Sequence, residues 1–279
     1  MKTTEKIEQI NDKFFEEYVS EDAVRKYTPE TAGFGINFLL RHDYADVYLN
    51  AINSYLRTSP QRPLRLLEFG CGGGMNVIAL VSLLVQRGIP VECAYGTDFS
   101  PRLVESAEQE AKVALAPNLA KKLRFHVARN EKLREDLAAA CGKSIEDLIG
   151  FFDLIIGVNT FRYCHRLGKS QDCAEDLFRL LRSGGVCINI DMNNRFPAFR
   201  SRLKHSVDDP AECYLPTLEE YASPFKAVGF EIIEKRNFCW VPHSAGRVLT
   251  VACWIASPLL NLVARSHAMR SLVVGRKPA

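Results

Sequence analysis

Apolar residues change their spacing along the chain, and the change divides it into parts. Ile7, Ile10, Phe14, Phe15 and Tyr18 recur at helical intervals, a Thr28-Pro29 break follows, and Tyr44, Val47, Tyr48, Leu49, Ile52 and Tyr55 resume the period. This spacing predicts two or more helices ahead of the main fold, ended by a loop RTSPQRP at 57–63. Beyond it, short apolar runs alternate with amphipathic stretches. Strands are expected at 64–70, 91–100, 123–128, 152–159 and 186–193. Helices are expected between them: MNVIALVSLLVQRG ending at Gly88, PRLVESAEQEAKVAL with Ser100 as N-cap and Pro101 at its first position, and AEDLFRLLRSGG stopped by Gly184 and Gly185. The chain closes with a helix TLEEYASPFKAVGF, a strand EIIEKRNFCWVP, an uncharged stretch from Val248 to Ala264, and a last strand SLVVGRKP at 271–278. Strand and helix alternating this regularly imply parallel pairing with helices on both faces, a doubly wound α/β fold.

Composition narrows the class only slightly. With 279 residues, 47% hydrophobic and 25% charged, the chain suits one large core with embellishments, and a formal charge of +3 is too mild to announce a nucleic acid partner. Nine cysteines, an odd number without a C-x-x-C pair or zinc spacing, argue for reduced thiols and against a metal site. The opening MKTTEKIEQINDKFFEEY lacks the apolar middle of a secretory signal, so a cytoplasmic location is expected.

The chemistry concentrates in RLLEFGCGGGMNVIAL, residues 65–80. In a doubly wound sheet, ligands sit beyond the carboxyl ends of the strands, and the loop after the first strand is the natural place. Gly70, Gly72, Gly73 and Gly74 leave its backbone bare, and the following helix offers free N–H groups. The dinucleotide pattern G-x-G-x-x-G fails in both registers, because Met75 and Val77 stand where its last glycine belongs. The triphosphate loop fails for want of a lysine. What remains is E-x-G-x-G-x-G, beginning at Glu68, which resembles the class I S-adenosylmethionine-dependent methyltransferases. A carboxylate at that mouth suits a ligand bearing an ammonium and a sulfonium and would repel a pyrophosphate.

The resemblance implies the cofactor S-adenosylmethionine and a seven-stranded, mostly parallel sheet with an antiparallel last strand. It covers about 62–193 by motif and 217–278 by element order, and leaves out the N-terminal helices and 194–216. It assigns cofactor contacts to Glu68, Gly70, Cys71, Gly72 and Gly74 in the loop. Asp98, ending the second strand 24 residues beyond Gly74, is set to hold ribose hydroxyls, and Phe99 to cover adenine. As bare sequence, TDFSP serves equally as a helix N-cap. The third loop reads VARNEKL where the family commonly has an acid, a departure from its pattern; Arg129 or Asn130 stands at that place, and Asn130, whose amide can pair with adenine, is the candidate adenine partner. Asp153 matches a structural acid of the fourth strand, and Asn159 and Thr160 at its far end open near the transferable methyl. The [ND]PP[YF] sequence of amino methyltransferases is missing, as are paired glutamates of the arginine type and a magnesium carboxylate set.

Substrate determinants are expected in the unshared parts. His165, in FRYCHR, is the candidate general base, with Tyr163 beside it. In NNRFPAFRSRLKH, Arg195, Arg200, Arg202 and Lys204 interleave with Phe196 and Phe199, an arrangement for clamping an anion, stacking a base, or facing solvent. The stretch 248–264 reads as a helical hairpin bent at Ser257-Pro258 that roofs the acceptor pocket or meets a partner. The expected organisation is therefore an N-terminal helical lid over 1–60 and a cofactor-binding domain over 61–279, with inserts 194–216 and 244–268 shaping the pocket. The expected activity is methylation of a small-molecule acceptor, lipophilic or anionic, without a transmembrane span but with room for peripheral membrane contact. A nucleic acid methyltransferase and a noncatalytic cofactor-binding partner protein are the rivals. Acceptor atom and oligomeric state stay open.

Overall fold

The computed structural model describes residues 33–58, 62–199 and 215–279. The apolar positions at 7–18 and the basic residues Arg200, Arg202 and Lys204 lie outside them.

Helices α1 (Phe34–Arg41) and α2 (Asp43–Leu56) come first. Then follow β1 (Leu64–Phe69), α3 (Met75–Gln86), β2 (Val91–Asp98), α4 (Pro101–Ala114), β3 (Leu123–Val127) and α5 (Leu133–Cys141). The second half comprises β4 (Phe152–Val158), α6 (Phe161–Arg166), α7 (Ser170–Leu180), β5 (Leu181–Met192), α8 (Leu218–Ala227), β6 (Glu231–Phe238), α9 (Arg247–Ala264) and β7 (Arg270–Arg276). The seven strands form one sheet in the order β3-β2-β1-β4-β5-β7-β6, parallel except for β7, which runs antiparallel to both β5 and β6. Strand order reverses between β1 and β4, the place where such sheets open a crevice.

Helices cover both faces, which is why the central strands read as nearly unbroken apolar runs. One face buries Leu66, Leu154, Ile188 and Leu272 under α1 to α4. The other packs Leu67, Ile155, Cys187 and Val273 against α5, α7 and α8. Each such side chain contributes roughly 1.5–3 kcal/mol when fully buried. Residues 33–58 share the first of these cores: Tyr44, Tyr48, Ile52 and Tyr55 are buried with the sheet's own residues. A buried ionic knot reinforces this attachment. Fully buried Asp153 on β4 accepts hydrogen bonds from the Tyr55 hydroxyl, the Arg62 and Arg182 guanidinium groups and the Arg65 backbone N–H.

Three elements differ from the sequence expectation. Strand β5 begins at Leu181, not at residue 186, because Leu181 already pairs with Phe152 before the register shifts. Gly184, at φ 76°, marks an irregularity inside the strand and does not simply stop the helix. The stretch 248–264 is one continuous helix, α9, and not a hairpin. Pro258 lies within it, with the Ser257 hydroxyl donating to the Cys253 carbonyl one turn back. Ser100 does take the N-cap position of α4, yet its side chain makes no capping bond. The Asp98 carboxylate instead accepts from the Ser100 N–H.

Candidate active site

A cavity of about 620 Å³ opens at the sheet reversal, walled by the loop after β1, the ends of β2 and β4, and residues from both flanks of α9. Volumes of this order suit a nucleoside-sized cofactor plus a small acceptor.

The floor is the glycine loop. Gly70 and Gly72 have φ near 60° and 52°, a left-handed conformation that side chains disfavour. A Cβ on Gly70 would also stand 1.9 Å from the Thr160 hydroxyl oxygen. Asp98 fixes the loop's other side. One carboxylate oxygen accepts from the Gly72 N–H at 3.0 Å and the other from the Ser100 N–H at 3.0 Å. Burial, the largest influence, raises its pKa to about 6 against the opposing effect of these N–H donors.

Of the residues expected to hold cofactor, Gly70, Cys71, Gly72, Asp98, Phe99, Asn130 and Asn159 line this cavity together. Glu68 and Gly74 do not. Glu68 is fully buried, and its carboxylate turns under the loop to accept from the Val77 N–H at 2.8 Å and the Asn76 amide at 3.1 Å. It holds the start of α3 and does not line the cavity, so it makes no direct contact with a cationic ligand there. Burial raises its pKa to about 8, outweighing those two donors. Gly74 is the N-cap of α3 at φ 79°. Asn130 donates from its amide to the Thr160 hydroxyl at 2.7 Å, tying the third loop to the fourth. Cys71 is buried and its thiol is pushed far above the usual range by burial, so it is no nucleophile.

His165 does not reach the cavity. Its ring packs edge-on to Phe161 and Tyr221 at centroid distances of 5.0 and 5.6 Å, and burial lowers its pKa to about 4. The helical turn of α6 rotates it away from the end of β4, whereas Tyr163 and Arg162 on the same helix do face the cavity.

The sequence reading missed a polar wall opposite the glycine loop. His243, in the segment between β6 and α9, lines the cavity and shares a 2.8 Å hydrogen bond between Nε2 and the Tyr44 hydroxyl. Burial first, and the nearby Arg270 charge second, hold its pKa well below the ordinary histidine value, so the imidazole is neutral. Arg270, on the first residue of β7 and nearly inaccessible, donates to Asn159 Oδ1 at 2.8 Å. Asn159 itself sits at φ 57°, a conformation asparagine tolerates better than most residues. Tyr44 and His243 are 199 positions apart, so no local pattern joins them. The nearest sequence signal is Pro242-His243 at the end of a strand, beside the insert 244–268.

This geometry agrees with the comparisons to known proteins. A family model described as a methyltransferase domain matches residues 61–246. The chain belongs to that family. Its seven-stranded sheet has the class I methyltransferase fold. Among curated proteins, the non-reducing polyketide synthase tazA of Aspergillus terreus is 28% identical over 162 residues, which are 58% of this chain and 6% of that protein. The non-reducing polyketide synthase sorB of Penicillium rubens is 30% identical over 149 residues, 53% of this chain and 5% of that protein. The chain thus matches about a twentieth of the length of these relatives. Among solved structures, the citrinin polyketide synthase CMeT domain superposes with a TM-score of 0.58 at 16% identity, covering 94% of this chain and 59% of that one. The cyclase SpnF superposes with a TM-score of 0.54 at 16% identity, covering 85% of this chain and 80% of that one. A cyclase among the neighbours shows that this fold alone does not specify a reaction.

Proposed function

We propose that the chain transfers the methyl group of S-adenosylmethionine to a small-molecule acceptor, and that the acceptor atom is a carbon made nucleophilic by an adjacent carbonyl or phenol. The observation that carries this reading is that His243 and Arg270 line the same cavity as the glycine loop, with the buried Tyr44 hydroxyl behind His243 holding its ring. The cavity fits the cofactor by the chemistry of its lining. Backbone at Gly70 and Gly72, the Asp98 carboxylate, the Phe99 ring and the Asn130 amide would hold its amino acid, ribose and adenine parts. When bound, the cofactor supplies an already activated methyl on sulfur.

The protein's share of the work follows from its own groups. Neutral His243 can take a proton from an acidic C–H or O–H of the acceptor, with the Tyr44 hydroxyl hydrogen-bonded to its Nε2 to fix the ring. Proton uptake uses the tautomer in which Nε2–H donates to the Tyr44 hydroxyl, leaving Nδ1 free to accept. Arg270, buried beside it, favours negative charge on the acceptor oxygen as that proton leaves. Apolar contributions from Ile36, Leu103, Leu167 and Phe199 give the acceptor a largely apolar bed and keep water away. The names of relatives and neighbours support a carbon acceptor: one relative is called 3-methylorcinaldehyde synthase, and one neighbour a CurJ carbon methyltransferase.

The test is incubation with methyl-labelled S-adenosylmethionine and a panel of β-dicarbonyl and resorcinol compounds, locating the label by mass spectrometry and carbon NMR. Label on carbon, lost in His243→Gln, is the expected result. Label only on oxygen or nitrogen would overturn the carbon assignment, and no product from the panel or a metabolite extract would overturn turnover itself.

A further inference from the structure

Helix α9 presents apolar side chains that the protein leaves uncovered. Across its 18 residues only Thr250 is buried, whereas Val248 and Leu262 are 85% and 82% exposed and Ile255, Leu259 and Val263 between 64% and 70%. At 100° per residue, the exposed positions span more than half of the circumference, far beyond the stripe of about 100° that a globular packing face presents. This distinguishes α9 from a core helix, which would be buried.

The hydroxyls of α9 and the Asn261 amide oxygen are bonded within the protein. Between Val248 and Ala264 the polar side chains besides tryptophan and cysteine are Thr250, Ser257 and Asn261. Thr250 donates to the Ala245 carbonyl, Ser257 to the Cys253 carbonyl, and Asn261 accepts from Trp240 Nε1 at 2.9 Å. The Thr250 and Ser257 hydroxyls would need no water if the surroundings became apolar, and the Asn261 amide N–H groups would be served by interfacial water or lipid headgroups. The charge flanking the helix in sequence has one sign. No acidic residue occurs from Cys239 to Ala268, and Arg247 and Arg265 bracket the apolar stretch. Neighbouring α1 packs on α9 through Phe38 and Trp254, with rings 5.9 Å apart, carries no acid, and exposes Phe34 and Arg41.

We infer that α9, with the exposed side of α1, is a membrane-docking surface that lies in the plane of an anionic lipid bilayer. The helix is about 27 Å long by its residue count, yet both its ends are held by the same domain, so it does not cross. The Gly35 and Ile36 N–H groups bond to the Ala245 and His243 carbonyls before it, and Met269 N–H bonds to the Cys239 carbonyl after it. An uncharged face immersed among acyl chains with arginines at its rim is the arrangement of interfacial helices. Segments adjoining both ends, Pro242–Ser244 and Met269–Arg270, form part of the cavity wall. Docking would therefore bring the cavity beside the bilayer, making a membrane-resident amphiphile the acceptor. That last step rests on the proposed methyl transfer, and the docking itself does not.

The test is flotation of the full chain with vesicles of phosphatidylcholine alone and with a third phosphatidylglycerol. Wild type is expected to float with the anionic vesicles, and the double variant Ile255→Glu, Leu262→Glu to float at least tenfold less while binding S-adenosylhomocysteine equally well. Both tryptophans of the chain touch this helix, so vesicles should shift their emission to the blue, and lipids brominated at shallow acyl positions should quench it. Wild type that stays with the lipid-free fraction, or a variant that floats as well, overturns the inference. So does a concentration-dependent dimer in lipid-free solution dissolved by the same substitutions, which would give the face to a second copy. Flotation that appears only after removal of residues 1–28 would give it to the chain's own N-terminal segment and equally overturn it.

Discussion

Asp98 illustrates how one side chain couples loop shape, proton binding and ligand binding. Its folded pKa near 6 lies above the ordinary carboxyl value of 3.8 because burial penalises the charge. Raised in the fold, it contributes stability to the apo protein that is present below about pH 4 and lost as pH rises through 6. On the proposed cofactor contact, in which ribose hydroxyls would donate to the ionised form, S-adenosylhomocysteine affinity should rise as pH climbs from 5 to 7. Titration calorimetry should show this slope flatten in Asp98→Asn, and Asp98→Ala should weaken binding by about 1–3 kcal/mol. Gly72→Val, forcing a branched side chain into a left-handed backbone, should abolish binding while leaving the circular dichroism spectrum intact. The two histidines separate cleanly. His243→Gln should lower kcat by about 100-fold or more with cofactor affinity unchanged. His165→Ala should leave kcat near wild type and lower the melting temperature, since it removes only packing against Phe161 and Tyr221. Because the fold keeps His165 neutral down to about pH 4, its contribution to stability is present above 6.5 and fades as pH falls toward 4. Equal kinetic losses in both variants would contradict the assignment of the base.

Among the elements, α3 depends on a carboxyl group brought from a neighbouring strand. Glu68 satisfies the first-turn N–H of Val77, and its pKa of about 8 means it is mostly protonated near neutrality. Apo stability should therefore decline as pH rises from about 4.5 through 8, and thermal melts of Glu68→Gln should lose most of that slope. Glu68→Ala, which leaves the helix start without an acceptor, should cost about 1–2 kcal/mol. The strands were legible because burial on both faces writes continuous apolar runs, and β1, β2, β3 and β4 fall within two residues of their expected ends. The short helix α5, with its polar start LRED and run of alanines, carries too weak a period to announce itself. Helix α9 was visible as an uncharged run, but its proline suggested a hairpin. A proline costs a helix one hydrogen bond and some steric room, and an exposed helix with space around it can bear both.

For the molecule as a whole, the attachment of residues 33–58 to the sheet turns on Asp153. Removing its charge leaves Arg62 and Arg182 without their buried partner, so Asp153→Ala should destabilise the fold by about 3–5 kcal/mol in chemical denaturation, with S-adenosylhomocysteine restoring part of it. A loss under 1 kcal/mol would show that the knot is peripheral. The sequence by itself determined the order of strands and helices, the glycine loop, the acid one strand over and hence the family chemistry, because these are local patterns set by backbone geometry and by charge sign. It left undetermined which side chains meet in and behind the cavity wall. Tyr44, His243 and Arg270 come from the first helices, a loop and the last strand, and nothing in their spacing joins them. Only the tertiary structure, by closing the sheet with an antiparallel β7 beside β5, carries Arg270 to Asn159 and brings the wall within reach of the loop. The same closure turned His165 inward and left α9 outside, since whether a helical face is buried depends on neighbours that the helix does not encode.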